Sequence, residues 1–207
     1  MFARTRQLTE SVQENTLFKV LNMLTNTGTA FDLDMEISGT DDLAAAVGHG
    51  RGVFLATLHA SLNTLIIRQL HDVGYKPMII ADDTQMLIPG TRHLSSNSAP
   101  RENYMLRMRS RLRAGGVVCA MIDRGEAGRR TIDVTTPAGS IIISPALFHV
   151  AERVNAAVIF AHVSLRSGKA RMTFAWAAPD GGSLPTAIAT QRFIEFARAH
   201  VPQLPRD

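Results

Sequence analysis

The chain has 207 residues, of which 45% are hydrophobic and 19% charged. That composition is ordinary for a soluble globular protein with one substantial core. Twenty-two lysines and arginines against eighteen acidic residues leave a formal charge of +4. This balance suits phosphorylated cofactors, an acidic carrier protein or an anionic membrane surface. It does not argue for nucleic acid, because no aromatic-rich basic module or Cys/His finger spacing accompanies it. A single cysteine, Cys119 in "GVVCAMI", excludes an internal disulfide and reads as a small buried hydrophobe. No apolar run approaches the roughly 20 residues that span a bilayer. The polar "MFARTRQLTE" start lacks the apolar centre of a signal peptide, so the expected location is cytoplasmic.

In chain order, Leu8, Val12, Leu17, Val20, Leu21 and Leu24 are spaced for an amphipathic helix, an N-terminal arm over residues 1–30 that ends at "TNTGTA". The spacing fits a helix packed on its own domain, with peripheral contact to a membrane as the other use. "FDLDMEI" alternates as a strand. A short helix follows in "GTDDLAAAVGHG", capped by Thr40 or Asp41 and stopped by Gly48 and Gly50. "RGVFLATLH" is a continuous apolar run, the mark of a strand covered on both faces. Leu62, Leu65, Ile66, Leu70 and Val73 then return to helical spacing. "KPMIIAD" is a buried strand, residues 84–100 a loop, "RENYMLRMRSRLRAGG" a basic helix and "VVCAMID" a further buried strand. Residues 126–140 read as a loop with one short strand. "SPALFHVAERVN" is a helix with Ser144 at the cap and Pro145 in the first turn. Two strands turn at Gly168, and a helix over residues 184–201 closes the chain. The alternation predicts a single α/β domain with a largely parallel central sheet flanked by helices.

In such sheets, functional groups gather where strands end and helices begin. His59 stands at that junction, after the first buried strand. The positive end of a helix favours a neutral imidazole there, and hence a base. The same spacing serves a hydrogen-bonded histidine that merely closes a strand. Asp123 ends another buried strand, with Arg124 beside it. The seven histidines show no metal-ligating spacing, so no metal is expected. His149 and His162 fall in core elements and read as hydrogen-bonded structural residues. "GHGRG" is followed by a strand where a dinucleotide loop needs a helix. Ser61 lacks the glycines of a nucleophile elbow.

"MEISGTDDLAAAVGHGRGVFLATLHASLNTL", "GGVVCAMIDRGEAG" and "TPAGSIIISPALFHVAERVNAAVIFAHVSLRSGKARMTF" occur in that order. Over residues 33–176 this succession resembles the lysophospholipid acyltransferase-like superfamily, particularly its lipid A (late, Kdo-dependent) acyltransferase branch. The resemblance implies a glycerolipid acyltransferase-like fold with no bound cofactor. It implies transfer of an acyl group from a thioester, acyl-CoA or acyl carrier protein, to a hydroxyl or amine of a small-molecule or lipid acceptor. His59 would be the base, oriented by a carboxylate five residues later. Thr64 occupies that position. Either Asp123 replaces the carboxylate, or an amine acceptor needs less help, or the fold persists as a catalytically silent acyl- or lipid-binding protein or partner subunit. The resemblance also places Arg92 where an arginine binds a phosphate or glycerol oxygen and Asp123 in the active-site cleft; Arg124 beside it, with Ser61 and Asn63 in the turn that follows the base, are further candidates for substrate binding. On the basic helix, Met105, Met108 and Leu112 form one stripe, flanked by Arg107 and Arg111 on one side and Arg109 and Arg113 on the other. Such arginines usually keep solvated heads over buried stems. The alternative use for Arg107 and Arg111 is gripping donor phosphates or an acidic carrier. The usual members of the branch carry an N-terminal membrane segment that is not seen here. A soluble or peripheral acceptor is therefore expected, at most at the inner-membrane surface.

Overall fold

A strand buries five successive residues only when it is covered on both faces. Strand β2 (Val53–Thr57) is such a strand, buried at every position. The computed structural model describes residues 34–80, 103–123, 131–136, 139–167 and 169–200, with the helical residues 13, 16–17 and 19–20. Within these, β1 is Met35–Ser38, β3 Met78–Ile80, β4 Val117–Met121, β5 Ile132–Thr136, β6 Gly139–Ile143, β7 Ala157–Arg166 and β8 Lys169–Trp176. Six of them form one sheet in the order β1-β8-β7-β2-β4-β3. Every pairing in it is parallel except β7–β8, so the sheet is mixed but mostly parallel. Strands β5 and β6 form a separate antiparallel hairpin.

The described helices are α1 (Thr40–Gly48), α2 (Thr64–Asp72), α3 (Tyr104–Arg113), α4 (Ala146–Arg153) and α5 (Thr186–His200). Alternation along β2 divides the core into two layers. Val53 and Leu55 join Leu43 and Ala46 of α1 and Leu65, Ile66 and Leu70 of α2. Phe54 and Ala56 face the other way, onto Met108 and Leu112 of α3, Phe148 of α4 and Phe193 and Phe196 of α5. The three-layer single domain matches the α/β expectation. Leu17 packs against the first layer, so the described part of the N-terminal helix lies on its own domain.

Three local expectations are corrected. Residues 126–140 were expected to hold one strand, but β5 pairs with a second strand, β6, through Ile132↔Ile143 to Thr136↔Gly139. "IIIS" abuts the helix that follows, and its inward face shows only once Val134 and Ile143 are seen buried together. The cap of α1 is Gly39 rather than Thr40 or Asp41, with φ 75°. Only glycine fits there, because a Cβ would overlap the Phe174 carbonyl. Helix α4 begins after Pro145, without a side-chain cap, because the main chain of Ser144 is drawn towards β4.

Candidate active site

His59 lies two residues beyond β2, and Asp123 two residues beyond β4. The two strands are parallel neighbours in the register Val53↔Val117 to Thr57↔Met121. Continuing that register by two residues sets His59 opposite Asp123. A single carboxylate oxygen, Asp123 Oδ1, accepts from the His59 backbone N–H at 2.8 Å and stands 2.6 Å from His59 Nδ1. The side chains are 21% and 10% exposed, half-sheltered yet open to a substrate. An ionised carboxylate can only accept, so a neutral His59 ring paired with it carries its proton on Nδ1 and its lone pair on Nε2. This is the tautomer a general base needs, held by a charge able to stabilise the imidazolium.

The backbone around His59 explains how a strand end becomes a site. The β2–β4 ladder opens with Val53 N–H donating to Gly116 O and still holds at Ile122 N–H to Thr57 O. In a parallel ladder, His59 N–H would next meet Ile122 O, six residues further along each strand. Instead His59 N–H turns to the Asp123 carboxylate, and Ile122 O accepts from Ser144 N–H at 3.2 Å. The departure of both main chains from the ladder brings imidazole and carboxylate together.

The turn after His59 is a short 3₁₀ turn, Ser61–Asn63, leading into α2. Asn63 is 1% exposed and both ends of its carboxamide are engaged by main chain. Nδ2 donates to Leu58 O at 2.8 Å and Oδ1 accepts from Val163 N–H at 2.6 Å. Asn63, expected among the substrate-binding residues, thus commits one amide donor and its carbonyl oxygen to main chain and braces the turn. Thr64 is buried as the first residue of α2. The carboxylate that reaches the imidazole comes from Asp123, across the sheet. Ser61 belongs to the same turn, on the main chain leading away from His59.

The arginines divide. Arg111 Nη2 donates to Lys76 O at 2.8 Å, and Gly116 packs against its guanidinium. Lys76 and Gly116 precede β3 and β4, so Arg111 sits at the amino edge of the sheet. A five-residue strand, roughly 17 Å, separates that edge from His59. The expected donor contact by Arg111 is thus corrected to a structural clamp: α3 runs back from the carboxyl edge, and its last turn ends at the wrong end of β4. Arg107 lies one turn nearer the carboxyl edge, exposed on α3. Arg92 and Arg124 lie outside the described residues.

Other polar groups need placing. Of the glycines of "GHGRG", Gly52 serves packing: at φ 77° it faces the Leu112 carbonyl so closely that a Cβ would overlap it. His149 is exposed, beside Glu152, and not in the core as its helix pattern suggested. His162 is 4% exposed, but neither ring nitrogen has a hydrogen-bond partner among the described residues, contrary to the bonded residue expected. Burial pushes its pKa down to about 4, aided by the charges of His200 and Arg166 and weakly opposed by the His200 main chain. Thr57 Oγ1 is likewise buried without a partner among those residues. Cys119 is buried and its thiol is pushed up to about 12 by desolvation, which makes it inert.

Among the described residues no group of three histidine, cysteine or acidic side chains could hold a metal ion, and no helix is long and apolar enough to cross a membrane. Compared with known proteins, the chain matches no protein-family model and no curated protein.

Proposed function

We propose that this chain is an acyltransferase of the glycerolipid acyltransferase type, with His59 as general base and Asp123 as its orienting carboxylate. The observation that carries the reading is the 2.6 Å His59–Asp123 pair at the carboxyl ends of adjacent parallel strands. The donor is a thioester, acyl-CoA or acyl carrier protein, and the acceptor is a hydroxyl or amine on a small molecule or lipid. His59 Nε2 takes the acceptor's proton as its oxygen or nitrogen attacks the thioester carbonyl. The tetrahedral intermediate collapses with cleavage of the C–S bond, and the imidazolium returns the proton to the departing thiolate. Asp123 stays ionised throughout and offsets the imidazolium charge. Arg107, exposed on the half of α3 nearer the carboxyl edge, is suited to the phosphates or acidic surface of the donor.

Thr64, standing where the resembled branch has a carboxylate, favours a second reading: an acyl- or lipid-binding protein that has lost turnover. One experiment separates the two. Purified protein is given acyl-CoA and acyl-carrier donors with a panel of amine and alcohol acceptors, and thiol release and acylated product are both measured. The first reading expects transfer that falls about 10²–10⁴-fold in His59→Ala, with donor affinity retained. Donor binding without transfer in the parent would establish the second. Transfer undiminished in His59→Ala would overturn the mechanism.

A further inference from the structure

The β2–β7 ladder carries a second irregularity, on the side of His59 away from Asp123. It opens with Ala157 N–H donating to Gly52 O at 3.0 Å, and the register runs from Val53↔Ala157 to Ala56↔Phe160. Parallel ladders repeat every two residues on both strands. Six residues further along each strand, the corresponding pair is Val163 N–H and Leu58 O. Those two groups are the ones the Asn63 carboxamide joins, Oδ1 accepting from the first and Nδ2 donating to the second. The side chain stands in for a missing peptide unit, inserted between strands that have separated by its width.

We infer that Asn63 is a positioning residue for His59, a wedge that splays β2 from β7 and fixes the Leu58–His59 peptide at the angle Asp123 requires. The inference rests on the dyad reading of His59 and Asp123. Leu58 O and His59 N–H belong to one rigid peptide plane. Asn63 grips that plane by its carbonyl, and Asp123 grips it by its amide. Only with both in place does the same Asp123 oxygen reach Nδ1. No aliphatic residue can do this work, because Val163 N–H would be left buried without its acceptor, and Leu58 O, which also accepts from Ala60 N–H at 3.0 Å, would lose the contact that ties it to β7. Aspartate has no donor with which to hold Leu58 O, and glutamine is one methylene too long for a gap closed at 2.6 and 2.8 Å.

Imidazole ¹⁵N shifts, which report the protonated ring nitrogen, should show His59 of the parent as the single Nδ1–H tautomer. Asn63→Ala should give a mixture of tautomers, with kcat lowered about 10²-fold by misplacement of the base and donor KM unchanged. A merely structural Asn63 would lower the melting temperature while folded molecules kept the parent tautomer and kcat, and that result would overturn the proposal. If Asn63→Ala does not fold, the parent decides. The Val163 amide, one Asn63 Nδ2 proton and the His59 Nδ1 proton should then exchange with solvent through one shared opening. Independent exchange of the His59 proton would sink the idea. The tautomer and exchange measurements need no turnover, so failure of the acyltransfer reading would be recognised separately.

Discussion

Replacing Asp123 by asparagine tests the heart of the site with a change of a single atom type. The side-chain carbonyl of the new asparagine can still accept from the His59 N–H, so the main-chain contact and the fold survive. What is lost is the charge. With Nδ1 and Oδ1 2.6 Å apart, the charge centres of imidazolium and carboxylate lie about 4 Å apart, and at an effective dielectric of about 20 their attraction is about 4 kcal/mol. Removing it from the transition state slows turnover by about three powers of ten. A misplaced tautomer adds to this if the asparagine presents its NH₂ to the ring, as in the serine-protease triad, where the analogous change costs about 10⁴. The expected outcome for Asp123→Asn is therefore a kcat about 10³–10⁴ lower, with donor KM and urea midpoint close to the parent. The assay is thiol release from the best acyl donor at saturating acceptor, corrected for spontaneous thioester hydrolysis. Turnover within about tenfold of the parent, a mere 1.4 kcal/mol, would refute the charge-stabilised dyad.

Further outcomes are expected elsewhere in the molecule. His162 is held neutral, with its pKa pushed from 6.5 down to about 4; the unfolded chain therefore takes up a proton first as the pH falls. Stability is complete above pH 6.5 and is lost progressively down to about pH 4, by at most about 3 kcal/mol. Urea unfolding at a series of pH values should show this slope, and His162→Phe should remove it; equal slopes in both proteins would contradict the assignment. Arg111→Gln should cost about 1 kcal/mol of stability through the lost bond to Lys76 O and leave donor affinity untouched. A weakened donor KM in that variant would put Arg111 back in the binding site. Gly52→Ala forces a left-handed residue against the Leu112 carbonyl and should destabilise by at least about 3 kcal/mol, read as a collapse of the urea midpoint; a midpoint near the parent's would show that the turn before β2 does not pack on α3 as described.

Local patterns in the sequence located most of the strands and helices, though not β6, and showed that β2 and β4 are buried. Hydrophobic period and burial on both faces are properties of a few adjacent residues, as "RGVFLATLH" and "VVCAMID" illustrate. They also placed His59 and Asp123 each just beyond a buried strand. The relation between the two was decided elsewhere. It depends on β2 and β4 being neighbours in one particular register, with the partners 64 positions apart in the chain, and no local pattern encodes a register. A clue was nonetheless present: each residue closes a buried run, so the two would meet if those runs lay side by side in parallel. Asn63 looked like a ligand-binding side chain because its sequence neighbours surround the base. Only the separation of β2 from β7 turned its carboxamide into a rung of the ladder. Arg111 was misplaced for a related reason: a helical stripe specifies a face but not a direction, and α3 runs away from the site. His162 is the sharpest divide. Its apolar strand correctly buried it, yet a close hydrogen bond to a buried ring nitrogen must come from a distant element, and among the described residues none is in place. Amino-acid pattern fixes what a segment can bury, whereas the pairing of polar groups is settled by which segments meet.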